Sequence, residues 1–450
     1  MAEIAPASGR AAAVARADED LLASLGYKQE FQRAFSGLET FGIAFSIIGL
    51  LPSIASVLFY SVPNGGPSAM VWGWAVASIF ILFVGMSMAE LASAAPTSGG
   101  LYFWTHSLSS KRWRNLLAWI VGYANTIGSI AAIASIDWGC AVQVMAAATI
   151  GSRDQSFSAT FAQTFLGSFD SSVHISEEAS NAAIAVPWAI VGAISIAGIL
   201  GWAINVSLAF CMGTDLDAII DSSQPMAQIF FRSFGQKGCL AVWAFIVICQ
   251  YMMGSSMVLA ASRQSFAFAR DGALPFSNWL YRMNGYTKTP VNTVFFTCGC
   301  AILLGLLSFA GSSAINAVFS LSITALYIAY SIPIAARFLG DNDFKPGPFS
   351  LGIFSAPVAL IACSFMAFMF VVFLFPATPA PSVPDMNYAV VVLGGTMILS
   401  LVWYYFPVYG GVHWFTGPIP TLSDEDGSDA SSDSMTMAKK EGVEVSTMQV

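Results

Sequence analysis

Apolar runs long enough to cross a bilayer, separated by short polar turns, occupy most of the chain. They cover about Gly42 to Tyr60, Ala69 to Ala92, Leu116 to Met145, Ile184 to Met212, Leu240 to Ala261, Val291 to Phe309, Ile315 to Ala336, Phe354 to Phe375 and Tyr388 to Tyr405. A helix needs about 20 residues to span the hydrocarbon core, whereas a barrel strand needs about half as many. Only a helix satisfies all its own backbone groups within lipid. The pattern therefore predicts an all-α polytopic membrane protein with about nine strong spans.

The charged positions add a direction to each span, because Lys and Arg close to a span end tend to stay cytoplasmic. The richest short loops carry Lys111, Arg112 and Arg114, then Arg263, Arg270, Arg282 and Lys288, with Arg337 and Lys345 following. With the N-terminus inside, the second span returns at the first basic loop and the third delivers the chain outside near Gly151. Working back from the second basic loop, Leu240 to Ala261 begins outside and Ile184 to Met212 begins inside. The two halves agree only if the segment from Gly151 to Ala183 crosses the membrane. Its one stretch of suitable length, Phe157 to Ile175, carries Gln163, Asp170, His174 and several Ser, so it is poorly built to cross. The charges thus predict either one weak polar helix or an odd number of missing spans.

Composition supports the class. The 450 residues are 56% hydrophobic and 10% charged, against about 25% charged in soluble domains. In the last thirty residues Asp424, Glu425, Asp426, Asp429, Asp433, Glu441 and Glu444 face only Lys439 and Lys440, so much of the net charge of -8 is local. Residues 418–450 therefore read as a disordered acidic tail. Residues 1–38 lack the continuous apolar core of a signal peptide and read as a retained cytoplasmic tail. The seven Cys show no zinc-type spacing, and the triplet Asn205-Val-Ser207 falls within a span, where it would not be glycosylated. No metal or cofactor is expected.

Three motifs carry a resemblance: "SMAELASAAPTSGGLYFWTHSLSS" from Ser87, "SEEASNAAIAVP" from Ser176 and "ASRQSFAFARDGALPFS" from Ala261. They resemble the amino acid, polyamine and organocation (APC) permease superfamily. The stretch "LGYKQEFQRAFSGLETFGIAFSIIGLLPSIASVL" from Leu25 looks most like the fungal amino acid, GABA and choline permeases, and the resemblance runs from about Leu25 to Thr416. It implies a transmembrane permease domain over 39–417, of the twelve-helix, inverted-repeat type. In that fold the first ten helices form two five-helix repeats, with the first and sixth broken at the midplane. By that pattern Gly42 to Tyr60 is helix 1, Leu116 to Met145 is helix 3 and Ile184 to Met212 is helix 7. Helices 4 and 5 and much of the first half of helix 6 then have no counterpart. The resemblance implies a transporter truncated to about nine or ten spans, with an internal deletion joined near Thr164 to Ser168.

Broken helices suit a zwitterion, because half-helix ends present N–H groups to a carboxylate and C=O groups to a cation. In "FSIIGLLPSI", Gly49 supplies backbone freedom and Pro52 removes a donor. On these residues alone an ordinary kinked helix stays open. The resemblance places Ser46, Ile48 and Gly49 at the first break. It places "GSFDSS" at the second, with Phe169 capping the substrate, Asp170 pairing with an amine or quaternary ammonium and Ser171 offering a hydroxyl. The alternative for the second motif is a membrane-boundary loop.

Within the third span, Asn125 is a candidate substrate ligand and Asp137 a candidate proton or coupling group, since intramembrane polar groups are functional candidates by default. Asp137 also reads as merely interfacial. Glu39, Glu90, Glu177 and Glu178 read as structural or gating groups, and His174 as interfacial.

These features together predict a secondary active permease in the plasma membrane, with both termini cytoplasmic. Its expected partners are a small amino substrate such as an amino acid, GABA or choline, H+, and the lipid bilayer, with no nucleic acid. A truncated non-transporting protein or a nutrient sensor is the competing expectation. An intramembrane enzyme is disfavoured. "HISEE" ends on Glu178 where the H-x-x-E-H zinc motif needs His, His106 and His413 are remote in sequence, and no G-x-S-x-G elbow occurs.

Overall fold

A computed structural model describes residues 19–26, 36–152, 182–213, 216–220, 222, 224–286, 289–310, 312–376 and 386–419. The expected join near Thr164 to Ser168 and most of both expected tails lie outside them.

The first span is two helices, α1 (Gly37–Ile48) and α2 (Leu50–Ser61). They are followed by α3 (Gly66–Ala94), α4 (Gly100–Leu108), α5 (Arg114–Gly151), α6 (Ala182–Cys211) and the short α7 (Asp217–Ile220). The chain continues through α8 (Pro225–Arg270), the short α9 (Ser277–Leu280), α10 (Val291–Gly305), α11 (Ser312–Leu339), α12 (Ser355–Leu374) and α13 (Ala389–Tyr404). Each of the nine apolar runs is found as helix. Among the described residues seven helical spans are long and apolar enough to cross a membrane, and Val291–Gly305 and Ala389–Tyr404 are shorter apolar helices.

Local chemistry sets several boundaries. A capping box starts α1: Ser36 N–H donates to Glu39 Oε2 (2.7 Å), and Glu39 N–H donates to Ser36 Oγ (3.4 Å). Pro67 lies in the first turn of α3, where its missing N–H costs nothing. The helix α8 changes direction at Gly235, whose φ of 66° is easy only for glycine. The run from Val291 to Phe309 ends its α-helical part at Gly305 and finishes as a 3-10 turn, Leu306–Ala310.

The helices form two packed groups. In one, α6 lies between α1 and α3; in the other, α5 is surrounded by α8, α10, α11 and α13. Small residues let backbones approach closely in both. A side chain at Gly85 would meet Ile194 and one at Gly201 would meet Trp74, while in the second group a side chain at Gly122 would meet Phe268. The buried Trp119 of α5 is ringed by Tyr123, Tyr404, Trp414 and Phe415, and its Nε1 donates to Ser400 O (3.0 Å). At that end Asp271 accepts from Tyr102 Oη (2.7 Å) and from Ile419 N–H (3.1 Å), fastening the segment after α13 to α4. Within the expected N-terminal tail, Leu22 and Leu25 pack against the core instead of standing free in solvent.

Candidate functional site

The interruption between α1 and α2 sits on one residue. Gly49 takes the left-handed conformation (φ 51°, ψ 60°), and its N–H closes α1 by donating to Phe45 O (3.2 Å). Its carbonyl then accepts from Ser53 N–H (2.8 Å), opening α2, while Ser53 Oγ caps the end of α1 at Ile48 O (2.8 Å). Pro52 stands in the first turn of α2, where an N–H would have no intrahelical partner. The proline therefore suits a fresh helix start, and glycine makes the break. No side chain caps the start of α2. A negative helix end and an uncovered positive one thus meet at Gly49.

The face opposite the break comes from α8. Ser256 Oγ donates to Ser46 Oγ (3.1 Å), and Ser46 Oγ reaches Met252 O (3.5 Å). A side chain on Gly49 would collide with Met253. Ile48 is half-buried and packs with the cluster that contains Leu50, Ile54 and Ile246.

Beyond the break, α5 joins α2 and α8 through two glutamines. Gln143 Nε2 lies 3.3 Å from Pro52 O, 3.4 Å from Ser56 Oγ and 3.3 Å from Gln250 Oε1, while Gln250 Nε2 donates to Ile136 O (2.8 Å). Trp243 Nε1 adds a bond to Gln143 O (2.8 Å). Gly139 leaves room for this contact, since a side chain there would press on Gln250 and Ser56. Sequence reasoning passed over Gln143, Gln250 and Ser256. The signal that flagged Asn125, a polar residue within an apolar run, applies to all three.

The remaining expected residues divide. Asp137 is buried (5% exposed) beside Ile136 and Gly139, and α5 continues a further fourteen residues to Gly151. About 21 Å of helix lies beyond it. Asn125 is also buried, but it stands eleven residues, about 17 Å, before Ile136 on α5, between the levels where α5 meets Phe268 and Leu326. The structure does not bring it to the break. Phe169, Asp170, Ser171, His174, Glu177 and Glu178 lie outside the described residues. No group of three or more His, Cys, Asp or Glu that could hold a metal occurs among the described residues.

Helices of membrane length packed around the span interrupted at Gly49 define an all-α, multi-pass membrane protein. Residues 35–167 and 151–397 match the amino acid permease family, in two pieces that overlap at 151–167. An uncharacterized amino-acid permease of Schizosaccharomyces pombe is 35% identical over 497 aligned residues, covering 92% of this chain and 90% of the relative. The GABA-specific permease of Saccharomyces cerevisiae is 35% identical over 505 aligned residues, covering 92% of this chain and 88% of the relative. An amino-acid permease of Arabidopsis thaliana is 28% identical, covering 89% of this chain and 96% of the relative. The chain belongs to the amino acid permease family. It is a transporter-family protein and not an enzyme.

Proposed function

We propose that this permease is a secondary active transporter of a small amino compound, such as an amino acid, GABA or choline, moved together with protons across the plasma membrane. The observation that carries the reading is the pair of opposed helix ends at Gly49, next to the hydroxyls of Ser46 and Ser256. The α2 end favours a carboxylate and the α1 end an ammonium group. Ser46, Ile48 and Gly49 form the described half of the site, Phe169, Asp170 and Ser171 the other half, and Asn125 an outlying polar group. The buried carboxyl of Asp137, next to the Ile136 carbonyl that binds Gln250, is the coupling group. The similarity to a GABA-specific permease supports a substrate with separated amino and carboxyl groups.

The domain plan is a permease body over 39–417 with both tails, 1–38 and 418–450, on the cytoplasmic side. The basic loops support that orientation. An internal deletion between α5 and α6 completes the proposal. It is supported by the overlap of the two family matches at 151–167 and by alignments of 497 and 505 residues, longer than the 450-residue chain itself. The direction conflict in the loop charges has the same explanation.

Exposure of Phe245, Ile248, Tyr251 and Met252 along α8, the last of which meets Ser46 through its carbonyl, favours a second reading in which this short form is a non-transporting product or a sensor. Radiolabelled uptake in cells lacking their own amino acid permeases tests both, using this chain and a version with the missing helices restored. Uptake by the restored form alone supports the second reading for this chain. Its absence in both, with correct membrane localisation, overturns the transport reading. Transcript sequencing tests the deletion: an insert of about 100 residues between Gln163 and Ser168 is expected, the length of three spans with loops.

A further inference from the structure

The buried carboxylate of Glu90 lies near the end of α3, away from the break, and it is fully saturated. Both terminal guanidinium nitrogens of Arg337, on α11, bind it: Nη1 on Oε2, and Nη2 on Oε1 at 3.0 Å. Oε1 also accepts from Ser350 Oγ (3.1 Å) and Leu351 N–H (3.2 Å), and Oε2 accepts from Ser355 Oγ (2.7 Å). The guanidinium in turn lies 4.0 Å over the Phe344 ring. One carboxylate thus gathers the end of α11, the connecting strap 340–351 and the start of α12.

The strap is stitched down at further points. Ser93, one turn along α3 from Glu90, donates to Ala183 O at the start of α6 (2.8 Å) and accepts from Phe349 N–H (2.9 Å). Asn342 Nδ2 donates to Leu108 O at the end of α4 (2.7 Å). Now α3 and α6 belong to one packed group, while α11 and α4 pack on α5 in the other.

We propose that Glu90 and Arg337 are a positioning pair that latches the two helix groups together at this end of the protein. It sets how readily α1 and its break open toward that side. The proposal rests on the permease reading only for its purpose, since the latch itself is measurable without transport. A bidentate carboxylate–guanidinium contact is geometrically demanding, so it holds one register and resists intermediate ones. Opening requires the strap to leave α3, or α3 to carry the strap with it.

Hydrogen–deuterium exchange on the full chain in lipid nanodiscs tests this, comparing the unsubstituted protein, E90Q, and the double variant E90Q/R337Q. The double variant leaves no buried unpaired charge, so it keeps the test available if E90Q alone does not fold. The expected result for a folded variant is exchange about tenfold faster in both 341–351 and α1, with α5 and α10 unchanged, as for release of one local unit. Faster exchange in 341–351 alone overturns the proposal, making the pair a local clasp for the strap. Failure of the double variant to fold also overturns it, in favour of a purely structural pair. Lack of uptake by both this chain and the version with the missing helices restored, together with the expected exchange pattern, would sink the transport reading and leave the latch standing.

Discussion

Gly49 faces Met253 so closely that a Cβ on residue 49 would collide with the thioether. This contact makes the break depend on glycine twice over, through its left-handed backbone and through the space taken by α8. Replacing Gly49 with Ala is expected to destabilise the protein by about 1–2 kcal/mol from backbone conformation alone. The double variant G49A/M253A removes the collision with the Met253 Sδ and Cγ but keeps the backbone penalty and the close Cβ, so it is expected to recover only part of the loss. Thermal unfolding of the purified variants in nanodiscs checks the order.

The hydroxyl pair at the break gives a second expectation. Ser46→Ala removes both an acceptor for Ser256 and a polar group beside the two helix ends. A hydrogen bond of this type is worth about 0.5–1.5 kcal/mol. Substrate affinity is therefore expected to weaken by about twofold to tenfold in a transport-competent form, read as KM with little change in maximal rate.

Asp137→Asn keeps the shape of the buried side chain and removes its charge. If Asp137 carries the coupled proton, uptake is expected to lose its rise with external acidity while exchange of bound substrate persists. Uptake measured from pH 5 to 8 with and without a proton-dissipating agent decides this. An unchanged pH profile would remove Asp137 from the coupling role.

His106, on α4 outside the spans, has its pKa pushed below the usual histidine value by burial first and by nearby Arg114 second, with partial opposition from Asn115 at 3.1 Å. Its native form therefore prefers the neutral ring, and the unfolded chain binds more protons at mildly acid pH. Stability is expected to be full above about pH 6.5 and to fall as pH drops below it. His106→Gln is expected to flatten that slope. Unfolding temperatures across pH 5 to 7.5 measure it.

The position and helical type of the apolar runs were legible because a bilayer imposes a length of about 20 apolar residues on every crossing helix. The break near Gly49 was legible as a glycine and a proline within such a run, but not which of them makes it. That depended on Pro52 falling in the first turn of α2, where it fits, and on Gly49 alone taking the left-handed conformation. Asp137 stood out in the sequence, whereas its burial depended on how the neighbouring helices pack on α5. That Leu22 and Leu25 pack on the core depended on a surface that no local pattern records.

The one-dimensional pattern by itself therefore determined an all-α membrane protein and its apolar helices, since hydrophobic length acts on each segment separately. Only the tertiary structure decided which polar side chains meet. Gln143 finds Gln250 across 107 residues, and Glu90 finds Arg337 across 247. Such pairings follow from how whole helices pack against one another, and buried polar groups must find their partners wherever that packing places them.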